Sequence, residues 1–253
     1  MSRHHDELPL AVVPVGVLSY TDLNDRSTDA VQQKTRDKII HAAMKLFAAQ
    51  GYQSTSVQAI LVDAGVNAGS LYHFFPGKQD LLVAVLQTYR DNIDTMLLTP
   101  AWRGTKDPIE RVFALLARYR GLIRRSDCAY GCPIGSLALE LSEPDPEVRE
   151  LLAANFSGWV DAVRECFDAA GERLPAGIDC AALAEFVLTT MEGAVMQART
   201  HRDICYFDRA VGELRRYIGL LENEARHSPL SGAPQARNVK AAAARRARAE
   251  RRS

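Results

Sequence analysis

Apolar residues along this chain recur at spacings of three and four, and no segment alternates as a strand would. Ile39, Ile40, Ala43, Leu46 and Phe47 fall on one side of a helix expected over 34–50. Val57, Ile60, Leu61 and Ala64 trace one face of a short second helix. Leu71, Phe74 and Phe75 give a third helix its apolar side, and Pro76-Gly77 ends it. Leu81, Leu82, Val85, Leu86, Tyr89, Ile93 and Met96 share a face of a fourth, expected over 78–98. Asp107-Pro108-Ile109-Glu110 combines a capping Asp, Pro at the first helical position and Glu in the first turn, and opens a helix to about Arg125. A break at Gly131-Cys132-Pro133 precedes a short helix from Ile134 to Leu141. Asp145-Pro146 repeats the start signal for a helix to about Ala170, and Gly171 to Gly177 breaks the chain again. Two further periodic segments cover about 179–200 and 206–226. The pattern predicts an all-α protein of about nine helices.

Within it, Thr55 to Lys78 carries the most chemistry. Thr55 and Ser56 suit a helix cap, Gly65 suits a helix exit at positive φ, and Asn67 suits a second cap. Two short helices joined by a turn holding Gly form the helix-turn-helix plan, whose second helix enters a DNA major groove. Gly69 and Ser70 are small enough for a duplex to approach closely, and Tyr72 and His73 carry hydrogen-bonding tips away from the apolar side. Lys78 opens the next helix, where backbone N–H groups and an ammonium both attract phosphate. An ordinary helical hairpin with Tyr and His as solvated groups shares the same local geometry.

A resemblance separates those readings. Thr35-Arg36-Asp37-Lys38-Ile39-Ile40-His41-Ala42-Ala43, then Leu46-Phe47 and Gly51-Tyr52, together with Thr55 to Leu82, resemble the DNA-binding domain of TetR-family (tetracycline-repressor-like) regulators. The likeness spans about 50 residues at many spaced positions. It implies an N-terminal three-helix domain with the helix-turn-helix and a larger C-terminal helical domain for ligand binding and dimerisation. By position it implies that Thr55, Tyr72, His73 and Lys78 hold phosphates, with Ser56 beside them. Asn67, Ala68, Gly69 and Ser70 would face base edges or the adjacent backbone. Ala68 departs from the charged or polar residue that relatives often carry, and offers only a methyl contact to thymine, so base reading leans on Gln58, Asn67 and Ser70.

The resemblance also implies a homodimer built on the last two helices. Phe186, Val187, Thr190, Met191 and Ala194 form one broad apolar stripe, and Val211, Leu214, Tyr217, Ile218 and Leu221 another. Both stripes could equally close the core of a single chain, and a wide stripe can do both. Candidates for an effector pocket are Phe113, Leu116, Tyr119, Cys132, Trp159, Phe167, Phe186 and Met196, drawn from several helices as a cavity within a bundle requires. Plain core packing is the alternative for each. The expected function is a repressor released by a small molecule from a roughly palindromic DNA operator.

Composition narrows the rest. Of 253 residues, 47% are apolar, which suffices for a packed core. No apolar run approaches a membrane span, and Pro9 to Leu18, short and preceded by Asp6 and Glu7, does not suit a secretory signal. Lysine and arginine balance aspartate and glutamate at 31 each. Residues 34–82 carry five of the first and three of the second, a weak basic footprint that dimerisation would double. Residues 1–33 are expected to form a disordered arm, 34–78 the DNA-binding domain, 79–226 the ligand and dimerisation domain, and 227–253 a disordered tail. That tail holds Arg237, Lys240, Arg245, Arg246, Arg248, Arg251 and Arg252 against Glu250, either a solvated charge run or a non-specific phosphate contact.

No Gly-rich phosphate loop, G-x-S-x-G or H-E-x-x-H occurs, so no enzyme, cofactor or metal is expected. Five cysteines without a secretory signal suit a reducing cytoplasm. Cys128 and Cys132 lack further ligands at zinc spacing. Cys132 sits before a helix start, where a thiol pKa is lowered, and its segment resembles a stretch of one TetR subgroup with members that respond to reactive carbonyls or oxidants. A thiol-responsive repressor acting through Cys132 and Cys128 is therefore the alternative function, against a bland reading of both as small buried residues.

Overall fold

The structure, a computed structural model, describes residues 28–227. Residues 1–27 of the expected arm, and the tail from 228 with its basic cluster, lie outside the described residues. Among the described residues there are ten α-helices and no strand. The chain runs α1 (Thr28–Gln50), α2 (Val57–Ala64), α3 (Ala68–Phe74), α4 (Lys78–Asp91), α5 (Thr99–Trp102), α6 (Pro108–Arg125), α7 (Pro133–Glu140), α8 (Pro146–Ala170), α9 (Cys180–His201) and α10 (Cys205–His227).

Two boundaries differ from the periodicity. Helix α1 starts six residues ahead of the expected 34 and takes in the end of the expected arm. Polar bonds one turn apart support that extension: Thr35 Oγ1 donates to the Val31 carbonyl at 2.9 Å and Gln33 Nε2 to Asp37 Oδ1 at 2.7 Å. Such bonds leave no apolar stripe to read. The expected fourth helix is interrupted instead of running to 98. Asn92 caps α4, its Nδ2 donating to the Thr88 carbonyl at 2.9 Å, and Asp94–Leu98 forms a π turn before the short α5. The wider turn buries three successive residues, Met96, Leu97 and Leu98, which an α-helical register would spread around the axis.

The start signals at Asp107 and Asp145 hold. Asp107 Oδ1 accepts from the Glu110 N–H at 2.9 Å, and Asp145 Oδ1 from the Glu147 N–H at 3.0 Å, each with Pro at the first helical position.

Two cores result. The first joins α1 to α4 through Ile39, Ile60, Leu71 and Leu81, and extends to Ile134 and Leu137 of α7 and Leu151 of α8. The second is the bundle of α6, α8, α9 and α10 around Leu115, Phe167, Met191 and Phe207. Helix α8 belongs to both. Its buried Asn155 donates through Nδ2 to the Leu86 carbonyl of α4 at 3.1 Å, binding the α1–α4 layer to the bundle.

Candidate nucleic-acid interface and interior cavity

The turn between α2 and α3 is built by local bonds. Ser56 caps α2 by accepting from the Ala59 N–H at 3.1 Å. Gly65 closes it at φ 64, and the Val66 N–H returns to the Leu61 carbonyl at 3.1 Å, a conformation that a side chain at 65 would strain. Asn67 caps α3, its Oδ1 accepting from the Ser70 N–H at 2.8 Å and from the Ser70 hydroxyl at 3.2 Å. Leu71 is wholly buried and pins α3 against α1.

What α2 and α3 leave outside is a polar, small-residue face. Gln58, Ser56, Asn67, Ala68, Gly69 and His73 are exposed, Ser70 is half-buried, and Tyr72 keeps 55% of its surface. With its oxygen engaged as a cap, Asn67 has its amide donors left for a base edge or phosphate. Thr55 departs from expectation. It is 1% exposed, and its hydroxyl donates to the Gly51 carbonyl at 2.6 Å while accepting from Gln50 Nε2 at 3.2 Å. It braces the turn before α2 and does not face a duplex. Ser56 alone is the cap.

Lys78 is held against the turn after α1. Its ammonium lies 4.3 Å from the Tyr52 ring centroid and 3.4 Å from the Gln53 carbonyl, with Tyr52 packed edge-on to Phe47. Partial burial lowers the pKa of this ammonium, and nearby Glu140 opposes that shift.

Glu140 is a residue that sequence reasoning missed. It ends α7, yet its carboxylate accepts from the backbone N–H groups of Tyr52 at 2.8 Å and Gln53 at 2.6 Å, in the turn after α1. No local signal marks it, because its partners lie 87 and 88 residues away. Replacing Glu140 with Ala leaves both donors without this acceptor. Bonds to a charged acceptor contribute about 1.5–3 kcal/mol when shielded. Since this carboxylate is only half-buried, the expected loss is about 1–2 kcal/mol by chemical denaturation. A variant as stable as the parent would show that solvent replaces the clasp without cost.

The other end of α7 reaches a cavity. About 500 Å³ of space, part of it open to solvent, lies among α4, the π turn, α6, α8 and α9, against the start of α7. Tyr119, Cys132 and Trp159 line it as expected from sequence. Tyr89, Phe156, Asn155, Leu188 and Glu192 line it too, and were not foreseen. Phe113, Leu116 and Phe167 do not line it. They are buried within the bundle core, where the Arg215 guanidinium stacks 3.7 Å over Phe113 while binding Glu110 at 2.7 and 3.0 Å. Phe186 and Met196 face outward from α9, because a helix turns 100° per residue and its cavity side is taken by Leu188 and Glu192.

The apolar stripes of α9 and α10 are divided in the same way. Val187, Met191, Ala194, Leu214 and Ile218 are buried within the chain, and Thr190, Val211 and Leu221 are half-buried. Phe186 and Tyr217 stay exposed at 47% and 44%, their rings in an edge-to-face pair at 5.6 Å. Met196 and Leu220 are exposed on the same two helices.

Cys132 occupies the cap of α7, and its Sγ accepts from the Gly135 N–H at 3.5 Å. The expected lowering of its pKa is nonetheless reversed. Burial is the largest cause and the Glu192 carboxyl the next, and together they hold the thiol well above its ordinary value. Burial raises the Cys128 thiol also. Desolvation outweighs two hydrogen bonds from the helix start and works against a thiolate at Cys132. All five cysteines are free.

The family described as bacterial regulatory proteins, tetR family, matches residues 39–85, and the tetracyclin repressor-like C-terminal domain matches residues 108–214. The transcriptional regulator AcuR of Cereibacter sphaeroides is 30% identical over 165 residues, covering 64% of this chain and 74% of the relative. The HTH-type transcriptional regulator LmrA of Bacillus subtilis is 30% identical over 132 residues, 52% of this chain and 70% of the relative. Among solved structures, a regulatory protein TetR from Rhodobacter sphaeroides superposes with a TM-score of 0.66 at 26% identity, over 72% of this chain and 98% of that one. Matched domains, exposed recognition helix and helical bundle agree: the chain belongs to the TetR family of DNA-binding, helix-turn-helix transcriptional regulators.

Proposed function

We propose that this regulator is a homodimeric repressor that binds a roughly palindromic operator and releases it when a small molecule enters the cavity. The observation that carries the reading is α7. One end of this eight-residue helix lines the cavity at Cys132, Pro133 and Ile134, and the other holds Tyr52 and Gln53 beside Lys78. A displacement at the cavity thus reaches the DNA-facing layer through one short rigid element. The effect can be no larger than the effector's difference in affinity for the two arrangements. Two α3 helices about one turn of DNA apart would read two half-sites. The exposed aromatic pair on α9 and α10 supports pairing through that surface. A repressor that acts on bacterial DNA would work in the cytoplasm.

Selection of bound duplexes from a random library, followed by titration of the enriched site, tests this. A symmetric consensus is expected. Tyr72→Ala should weaken binding about tenfold, the worth of one charge-assisted phosphate contact, with the dimer intact. Unchanged affinity in that variant would show that α3 does not present Tyr72 to the duplex.

A further inference from the structure

The cavity wall has an unbalanced chemistry. Its polar groups include one carboxyl, Glu192, and no lysine, arginine or histidine. Glu192 Oε1 is buried without a hydrogen-bond partner, and among the described residues no ion pair involves Glu192. Around it stand four aromatic side chains, Tyr89, Tyr119, Phe156 and Trp159. The carboxyl lies against the bare side of Gly135: a Cβ there would stand 2.2 Å from Glu192 Oε2 and would displace it.

The Cys132 thiol hydrogen-bonds the Glu192 carboxyl, and burial raises the pKa of that carboxyl. A carboxylate buried with one oxygen unpartnered is costly, and the cost falls when a cation arrives. Aromatic faces add attraction for the same charge. An anionic ligand would meet like charge, with no cation on the wall to neutralise it, though the unpaired Trp159 Nε1–H could offer it a hydrogen bond. We propose that the effector is a small lipophilic amine, its protonated nitrogen donating to Glu192 and its apolar body lying between Tyr119, Trp159 and Leu188. This rests on the reading of the cavity as the effector site. The N–H donor matters, because a quaternary ammonium would satisfy the aromatic faces but leave Oε1 without a hydrogen bond.

The test is calorimetric titration of the full chain with three probes of shared shape: naphthylmethylamine, naphthylmethanol and naphthylacetate. The amine is expected to bind tightest and the acid weakest. Glu192→Gln, which keeps the shape and removes the charge, should weaken the amine about tenfold or more and leave the alcohol nearly unchanged. Gly135→Ala provides a second variant. The clash it introduces is with the mobile end of Glu192, so the chain should fold with the carboxyl displaced, and amine affinity should fall again. If the alcohol or acid binds and the amine binds no better, or if Glu192→Gln spares the amine, the assignment is overturned while the effector site stands. If none of the three binds, the reading of the cavity as an effector site falls, and the amine with it.

Discussion

Phe186→Glu is expected to separate the proposed dimer and with it most of the operator affinity. Phe186 is 47% exposed in the single chain and paired edge-on with Tyr217, so a glutamate there costs the isolated fold little. Within an interface the same carboxylate would be desolvated without a partner, against an identical charge across the two-fold axis. Losing the partner turns two linked half-site contacts into one. Linked binding exceeds single binding by about 10²- to 10⁴-fold, which sets the expected fall in affinity for the selected operator. Sedimentation should show a folded monomer and a mobility-shift titration the weakened binding. A variant that remains dimeric would remove this surface from consideration. Four of the eight large apolar residues exposed among the described ones, Phe186, Met196, Tyr217 and Leu220, lie on α9 and α10, which is why the surface is chosen.

The largest expected loss of stability is at Phe167. This α8 ring is 1% exposed and sits in the core that joins α6, α8, α9 and α10. Truncation to alanine removes its transfer free energy and leaves a cavity that rigid helices fill only in part. The cost of such a change is about 3–5 kcal/mol, against a total stability of about 5–15 kcal/mol for a typical domain. The melting midpoint in urea should fall accordingly, at fixed protein concentration because dimerisation contributes to the apparent value. A loss below about 1 kcal/mol would mean that the bundle repacks around the gap. Since Phe167 lies off the cavity wall, ligand affinity in the folded variant should survive better than stability.

Some of this protein was legible because the forces concerned act between near neighbours in the chain. The caps at Ser56, Asn67, Asp107 and Asp145 bond N–H groups two or three residues on, and Gly65 exits α2 through its own φ. Thr55 departs from its local signal for a related reason. A hydroxyl before a helix suits a cap, but burial against Gly51 and Gln50 directed it inward, and only its neighbours in space reveal that. The wide stripes of α9 and α10 could be recognised as apolar, yet not divided. Which residues face the bundle and which face outward depends on where α6 and α8 lie.

The amino-acid order by itself therefore determined most of the helices, the caps at Ser56, Asn67, Asp107 and Asp145, the turn at Gly65 and the family, since all follow from short-range bonding, periodicity and a spaced motif. Tertiary structure alone decided the Glu140 clasp on Tyr52 and Gln53, the placing of Glu192 in an aromatic cavity and the high pKa of the Cys132 thiol. Each of these joins groups from distant parts of the chain. Desolvation and close contact are properties of what surrounds a group in space, and helical periodicity carries no record of it.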